Sequence, residues 1–299
     1  MDIKAAMTRS LRELDQPVIT DYDLYMTIFN FHQVKKYRGE AVSISTQIPM
    51  FHEVLTQIVN PLIEFGTITP YKDFQEGRVF QIVGNRFFES GDIACSVDPF
   101  AYISHLSAMA YHGLTNRLPK MLFISTPPIK EWSKYSKQKM EKDCQGFLDD
   151  YLKCQLPQLI TIKFDKIQKT QITRYSSIHQ GAFKNVEDRK LRVSTIGRTF
   201  LDMLRKPDYC GGIRHIMDTF ITFGPQYKRL IIDELDRHGN AIEQARAGYL
   251  LEECCHIKDD EKIEQWAKRV QRGGSRKLDP EGPYRETYSE RWCLSINVE

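Results

Sequence analysis

Between residues 51 and 83 the chain changes its hydrophobic period, and few compact folds accept that change. Phe51, Val54, Leu55, Ile58, Val59 and Leu62 recur at helical spacing, which places one apolar stripe on one helix face. Pro61 interrupts the stripe, so two short helices or one kinked helix is expected. Gly66 is the natural stop. Thr67–Thr69 and Arg78–Val83 then flank a turn running from Pro70 to Gly77, the mark of a β-hairpin. Ahead of this lies an amphipathic segment, residues 21–36, with Leu24, Ile28, Phe31 and Val34 near helical spacing. Asp21 suits its N-cap, Lys35-Lys36 its last turn, and Arg38-Gly39 its stop. Helices followed by a hairpin predict a winged helix-turn-helix over residues 1–90, although the stretch from Lys36 to Pro49 is short for a full middle helix. Ser45 or Thr46 would cap the third helix.

The remainder, residues 91–299, alternates strands and helices, so the chain reads as α+β: a winged helix-turn-helix followed by a mixed α/β domain. Residues 86–100 read as a connector ending in Asp98-Pro99. Ser104 to His112 reads as a helix capped by Ser104 and closed by Gly113. Met121–Ser125, Leu159–Phe164 and Gln171–Tyr175 read as strands. Val193–Thr195 leads into a helix from Ile196 to Leu204. Residues 212–221, 226–236, 241–254 and 259–270 read as successive helices, with a last strand from Trp292 to Val298.

Net charge is +3 over 299 residues, too little to name a partner, but its distribution is uneven. Residues 1–85 hold eight basic and ten acidic side chains, net −2. Residues 116–142 and 163–192 are each net +5, and residues 266–278 hold five basic residues and no acidic one. Basic clusters are commonly solvated faces, but three of them favour a polyanionic partner. No apolar run reaches the roughly 20 residues of a membrane helix, and the N-terminus has no signal core. Seven scattered cysteines make no disulfide framework, as expected of reduced thiols in a cytoplasm.

No catalytic set closes. Ser104, His105, Ser107 and His112 lack an orienting third group and an oxyanion site, so Ser104 is read as a cap and His105 as a packed residue. Cys254-Cys255-His256 is adjacent rather than spaced for tetrahedral ligation. Asp149, Asp150 and Lys163 miss a metal-nuclease arrangement because Thr161 sits where the acid is needed. Arg198 and Asp202, four apart on one helix, suit an ion pair. Gly211-Gly212 suits a turn into a helix. Arg272-Gly273-Gly274-Ser275-Arg276-Lys277 is the most suggestive basic run, its glycines freeing the backbone to approach a partner.

Several blocks occur in a distinctive order: Ser104–Leu114 (SHLSAMAYHGL), Val193–Asp202 (VSTIGRTFLD), Gly211-Gly212, Asn240–Glu252 (NAIEQARAGYLLE) and Arg272–Pro280 (RGGSRKLDP). In this order they resemble the abortive-infection AbiE-type antitoxins of type IV toxin–antitoxin systems. The resemblance covers residues 98–298 and the N-terminal segment only in outline. It implies a cytoplasmic, non-enzymatic protein without cofactor, in which a winged-helix DNA reader is joined to a C-terminal antitoxin domain. It also implies a neighbouring nucleotidyltransferase-like toxin, neutralised with or without a stable complex, and autorepression at inverted repeats of operator DNA. On this reading DNA is met by Ser45, Thr46, Gln47, His52, Thr56 and Gln57, with Lys72 and Arg78 at the wing. Arg198, Arg246, Arg272, Arg276 and Lys277 form a basic antitoxin surface. Removal of residues 1–90 should then abolish operator recognition and spare neutralisation. A stand-alone DNA-binding regulator and a nucleic-acid-processing enzyme are the other readings.

Overall fold

The computed structural model describes residues 1–44, 49–84, 88–178, 182–270 and 276–298. It is a mixed α+β fold that divides into two compact units, and the division is not a single cut at residue 90. Unit 1 comprises Met1–Ala101, Thr126–Ile178 and Asn185–Arg192; unit 2 comprises Tyr102–Ser125, His179–Lys184 and Val193–Glu299.

Unit 1 opens with a helix that periodicity did not pick out, α1 (Ile3–Arg12), whose Asp2 cap accepts from the Lys4 amide. Ala6, Met7 and Leu11 are its buried face. Strand β1 (Val18–Thr20) leads into α2 (Asp21–Val34). The N-cap of α2 is Thr20 rather than Asp21, the Thr20 hydroxyl accepting from the Asp23 amide. It ends at Lys35, in the left-handed region, before the expected stop. Arg38 and Gly39, both at positive φ, instead make the two-residue turn between β2 (Lys36–Tyr37) and β3 (Glu40–Ala41), as such hairpins require.

Next comes one continuous helical run, residues 51–64: α3 (Phe51–Val54), a π turn (Leu55–Val59) and α4 (Asn60–Glu64). Neither two helices nor a break results from Pro61. A proline brings no amide, and the wider π turn just before it still closes, with Asn60 donating to the Leu55 carbonyl. Gly66, at φ +66°, ends the run, and β4 (Ile68–Pro70) and β5 (Val79–Ile82) form the expected hairpin. The unforeseen β1 pairs with β5 through Val18↔Gln81, Ile19↔Phe80 and Thr20↔Val79, giving an antiparallel sheet of order β1-β5-β4.

Two corrections follow in the same unit. The expected connector carries α5 (Ser90–Val97), every residue of which is buried. Leu159–Phe164, expected as a strand, joins no ladder. Helices Ile129–Asp143 and Leu148–Lys153 were also not foreseen. Trp132, Met140, Cys144, Tyr151, Cys154, Leu156 and Leu159 belong to the same buried cluster as Met7, Tyr22, Phe29, Ile58 and Leu62. Residues 1–90 therefore do not own their core, and deleting them would strip apolar partners from the rest of unit 1.

Unit 2 pairs Tyr102 and Ile103 antiparallel with Ser125 and Ile124, and Ile103 in parallel with Val193. The His105–Tyr111 and Ile196–Arg205 helices fall where expected. The two helices expected over 212–236 are one, Ile213–His238, with Pro225 inside it. Gly224 precedes the proline and has no Cβ to clash with its ring. The Ile221 carbonyl, which loses its donor, belongs to a half-exposed residue within reach of water. The last elements pair as a hairpin, Tyr288–Ser289 with Leu294–Ser295. No described helix is long and apolar enough to cross a membrane.

Candidate nucleic-acid interface

The helical run 51–64 buries Val54, Ile58, Val59 and Leu62, and this fixes what it shows to solvent. His52, Glu53, Thr56, Gln57 and Asn60 share the exposed face. The run is held at its start by the Phe51 amide, which donates to the Cys154 carbonyl at 3.0 Å, and by Phe51 stacked on Tyr25 with ring centroids 5.3 Å apart. Glu53 is committed to the first turn, its carboxylate accepting from the Met50 amide at 2.8 Å. The Thr56 hydroxyl donates to the His52 carbonyl at 2.9 Å, which leaves it an acceptor outward. Three residues expected from sequence, His52, Thr56 and Gln57, are thus brought together. Asn60 completes the face and went unnoticed, although it stands at i+8 from His52 on the same stripe. Ser45, Thr46 and Gln47 lie outside the described residues.

The face offers amide, imidazole and hydroxyl groups. No lysine or arginine occurs between residues 51 and 64; positive charge lies on other elements of unit 1. Lys4 lines a depression of about 410 Å³ together with Thr56 and Gln57. Lys72 is exposed in the turn between β4 and β5.

Arg78 does not stand at the hairpin tip. It is largely covered and pairs with the Asp21 carboxylate at the start of α2, while its carbonyl accepts from the Asp21 amide at 2.9 Å. Burial pushes the Asp21 carboxyl up to about 6 from 3.8, against the opposing pull of Arg78. Its contribution to stability is therefore fully present below pH 3.8 and is lost as pH rises through about 6. Unfolding by denaturant at pH 4 and pH 7 should show a fall in stability that Asp21→Asn reduces by about 2 kcal/mol. If the variant keeps the wild-type fall, the Arg78 pair governs Asp21 instead.

Two of the residues expected on an antitoxin surface, Arg198 and Arg246, are internal. Arg198 is fully buried and donates to Asp202, also fully buried, at 2.8 Å. Burial works against its charge, and Asp202, Tyr102 and Glu234 more than offset it. Arg246 is buried, donating to the carbonyls of Lys277 and Leu204 at 2.9 and 3.1 Å. The Lys277 ammonium donates to the Gly282 carbonyl, and Arg276 is half-buried. Arg272 lies outside the described residues. Arg246 and Lys277 thus satisfy backbone carbonyls inside unit 2, where unpaired carbonyls would be costly, while Arg198 is committed to a buried carboxylate.

The Ser104–His112 block is equally internal. Ser104 and His105 are fully buried, the imidazole Nδ1 lying 2.8 Å from the Ser104 hydroxyl. Ser104 thus holds its neighbour's ring and makes no side-chain cap. Burial pushes His105 below its ordinary value, which keeps it neutral. Among the described residues no group of three or more His, Cys, Asp or Glu could hold a metal ion, and all seven cysteines are free.

No protein-family model matches the chain, and no curated protein matches it. Among solved structures, the RV2827C protein from Mycobacterium tuberculosis is similar at a TM-score of 0.48 and 10% identity, over 97% of this chain and 89% of that one.

Proposed function

We propose that unit 1 is a winged-helix reader of duplex DNA, with the 51–64 run as recognition helix and the β4–β5 hairpin as wing. The observation that carries this reading is the exposed polar face His52, Thr56, Gln57 and Asn60 on a helix braced by α1, α2 and a sheet of order β1-β5-β4. Amide side chains pair bidentately with adenine in the major groove, and a helix supplying three or four such groups is a standard reader. The resemblance of the blocks in residues 98–298 supports the wider role. On it, the chain is an antitoxin of a type IV system that counters a nucleotidyltransferase-like toxin and represses its own operon.

Binding of a labelled promoter duplex by the full chain tests the reader. Gln57→Ala and Asn60→Ala should each weaken operator binding by about 5- to 150-fold, the range of a lost bidentate contact, and leave binding to an unrelated duplex unchanged. Equal weakening on both duplexes would remove these residues from base recognition. The antitoxin role is tested by expressing the neighbouring gene with and without the chain. Rescue by both wild type and the Gln57→Ala variant fits neutralisation independent of operator reading. A neighbour that is not toxic would favour a stand-alone regulator. Point variants are needed because removal of residues 1–90 takes away most of a core shared with residues 132–159.

A further inference from the structure

The recognition run carries no positive charge of its own and Arg78 is occupied by Asp21, so unit 1 must find its phosphate-binding charge elsewhere. A segment distant in sequence is fixed to the turn that bears Lys72. Strands Lys166–Ile167 and Thr170–Ser176 form a hairpin, paired Lys166↔Gln171 and Ile167↔Thr170, with Gln168 and Lys169 as its two-residue turn. Gln168 sits at φ +56°, and its amide donates to the Asp73 carboxylate of the 71–78 turn. Phe74 of that turn meets Phe164 edge to face at 5.6 Å, and the Ser90 hydroxyl donates to the Ile167 carbonyl at 3.2 Å. Ile167 is fully buried while Lys166 and Lys169 are exposed, so the ladder turns its apolar side inward and its ammonium groups outward.

We infer that this second hairpin is a phosphate-contacting extension of the wing, in which Lys166 and Lys169 join Lys72 against the backbone of duplex DNA flanking the recognition site. The inference rests on the DNA-reading proposal and adds the residues that provide its charge. Three features favour it. The hairpin is anchored at Phe164, Ile167 and Gln168, so the backbone that bears its lysines is held in place. The wing carboxylate Asp73 is already engaged by a backbone amide. Neither lysine is in an ion pair among the described residues. Ammonium groups contacting phosphates act as point charges that add affinity without sequence preference.

Binding of the full chain to operator and to an unrelated duplex, followed as a function of NaCl, distinguishes the outcomes. Each phosphate contact contributes about 0.9 to the slope of log K against log salt. Lys166→Gln with Lys169→Gln should make that slope shallower by about 1.8 and weaken both duplexes equally. A control pair of exposed basic residues in unit 2 outside the basic clusters, Arg229→Gln with Lys258→Gln, should leave the slope at its wild-type value, as should Gln57→Ala. A wild-type slope in the Lys166/Lys169 variant overturns the inference while leaving the recognition helix standing. An unchanged slope accompanied by loss of toxin rescue would overturn it too and assign these lysines to an acidic protein partner. Wild-type chain that binds neither duplex defeats the DNA-reading proposal itself, and the inference with it.

Discussion

Asp202→Ala is expected to destabilise unit 2 by about 3–5 kcal/mol, the usual consequence of removing one partner from a buried ion pair. Both members of the pair are fully buried. Without Asp202 the Arg198 guanidinium keeps its charge and loses its main counterion, because arginine does not deprotonate in proteins. The other acidic group acting on it, Glu234, is itself pushed upward by burial, which makes it a poor substitute. Urea denaturation followed by near-UV circular dichroism would report the loss. Arg198→Met combined with Asp202→Leu removes both charges and should recover much of the lost stability, since apolar replacements of buried pairs are often neutral or stabilising. If the single variant loses less than about 1 kcal/mol, the pair is solvated in solution.

Gly248→Ala is expected to cost about 3 kcal/mol or more, at the upper end of overpacking effects. A Cβ at residue 248 would overlap three ring carbons of Trp292. That indole is fully buried and its N–H donates to the Glu252 carboxylate at 2.9 Å, so the ring has little freedom to yield. Thermal unfolding should drop by several degrees, with the near-UV tryptophan signal altered before unfolding. Gly248→Ala together with Trp292→Phe should be more stable than the sum of the single changes, the signature of direct coupling. Strict additivity would show that the helix moves rather than the ring.

These two positions also show what the chain made legible and why. Gly248, Arg246, Arg198, Asp202, Ser104 and His105 all lie in the blocks that carried the family resemblance, and all are internal to unit 2. Polar residue types in an ordered motif read as surface chemistry from sequence, because spacing along a helix does not reveal which face is covered. The ion pair at Arg198 and Asp202 was predictable from its i,i+4 spacing; its burial was not. The 51–83 region was legible because it depends on short-range signals: a helical stripe, Gly66, and alternation around a turn. The first helix, Ile3–Arg12, was missed because its apolar face is only Ala6, Met7 and Leu11. The Ile129–Asp143 helix was hidden by its five lysines, although Trp132, Ser136 and Met140 mark a buried stripe at i+4. The hairpin from Lys166 to Ser176, which packs on the 71–78 turn, lies more than 80 residues further on and is placed there by tertiary contacts alone.

The shared core of unit 1 has a consequence for synthesis. The 51–64 run cannot bury Ile58 and Leu62 in their final surroundings until Trp132 to Leu159 have been made. Arg189 and Arg192, which tie α5 through Asp92 and through the carbonyls of Cys95, Asp98 and Ala101, come later still. At about 5–20 residues per second, the N-terminal hundred residues wait roughly 5–20 seconds on the ribosome before those partners emerge. During that interval the helix that would read DNA exposes apolar surface suited to chaperone capture. Chains interrupted before Arg192 would leave the ribosome without these ties, so the first hundred residues reach their final surroundings only once translation has passed Arg192.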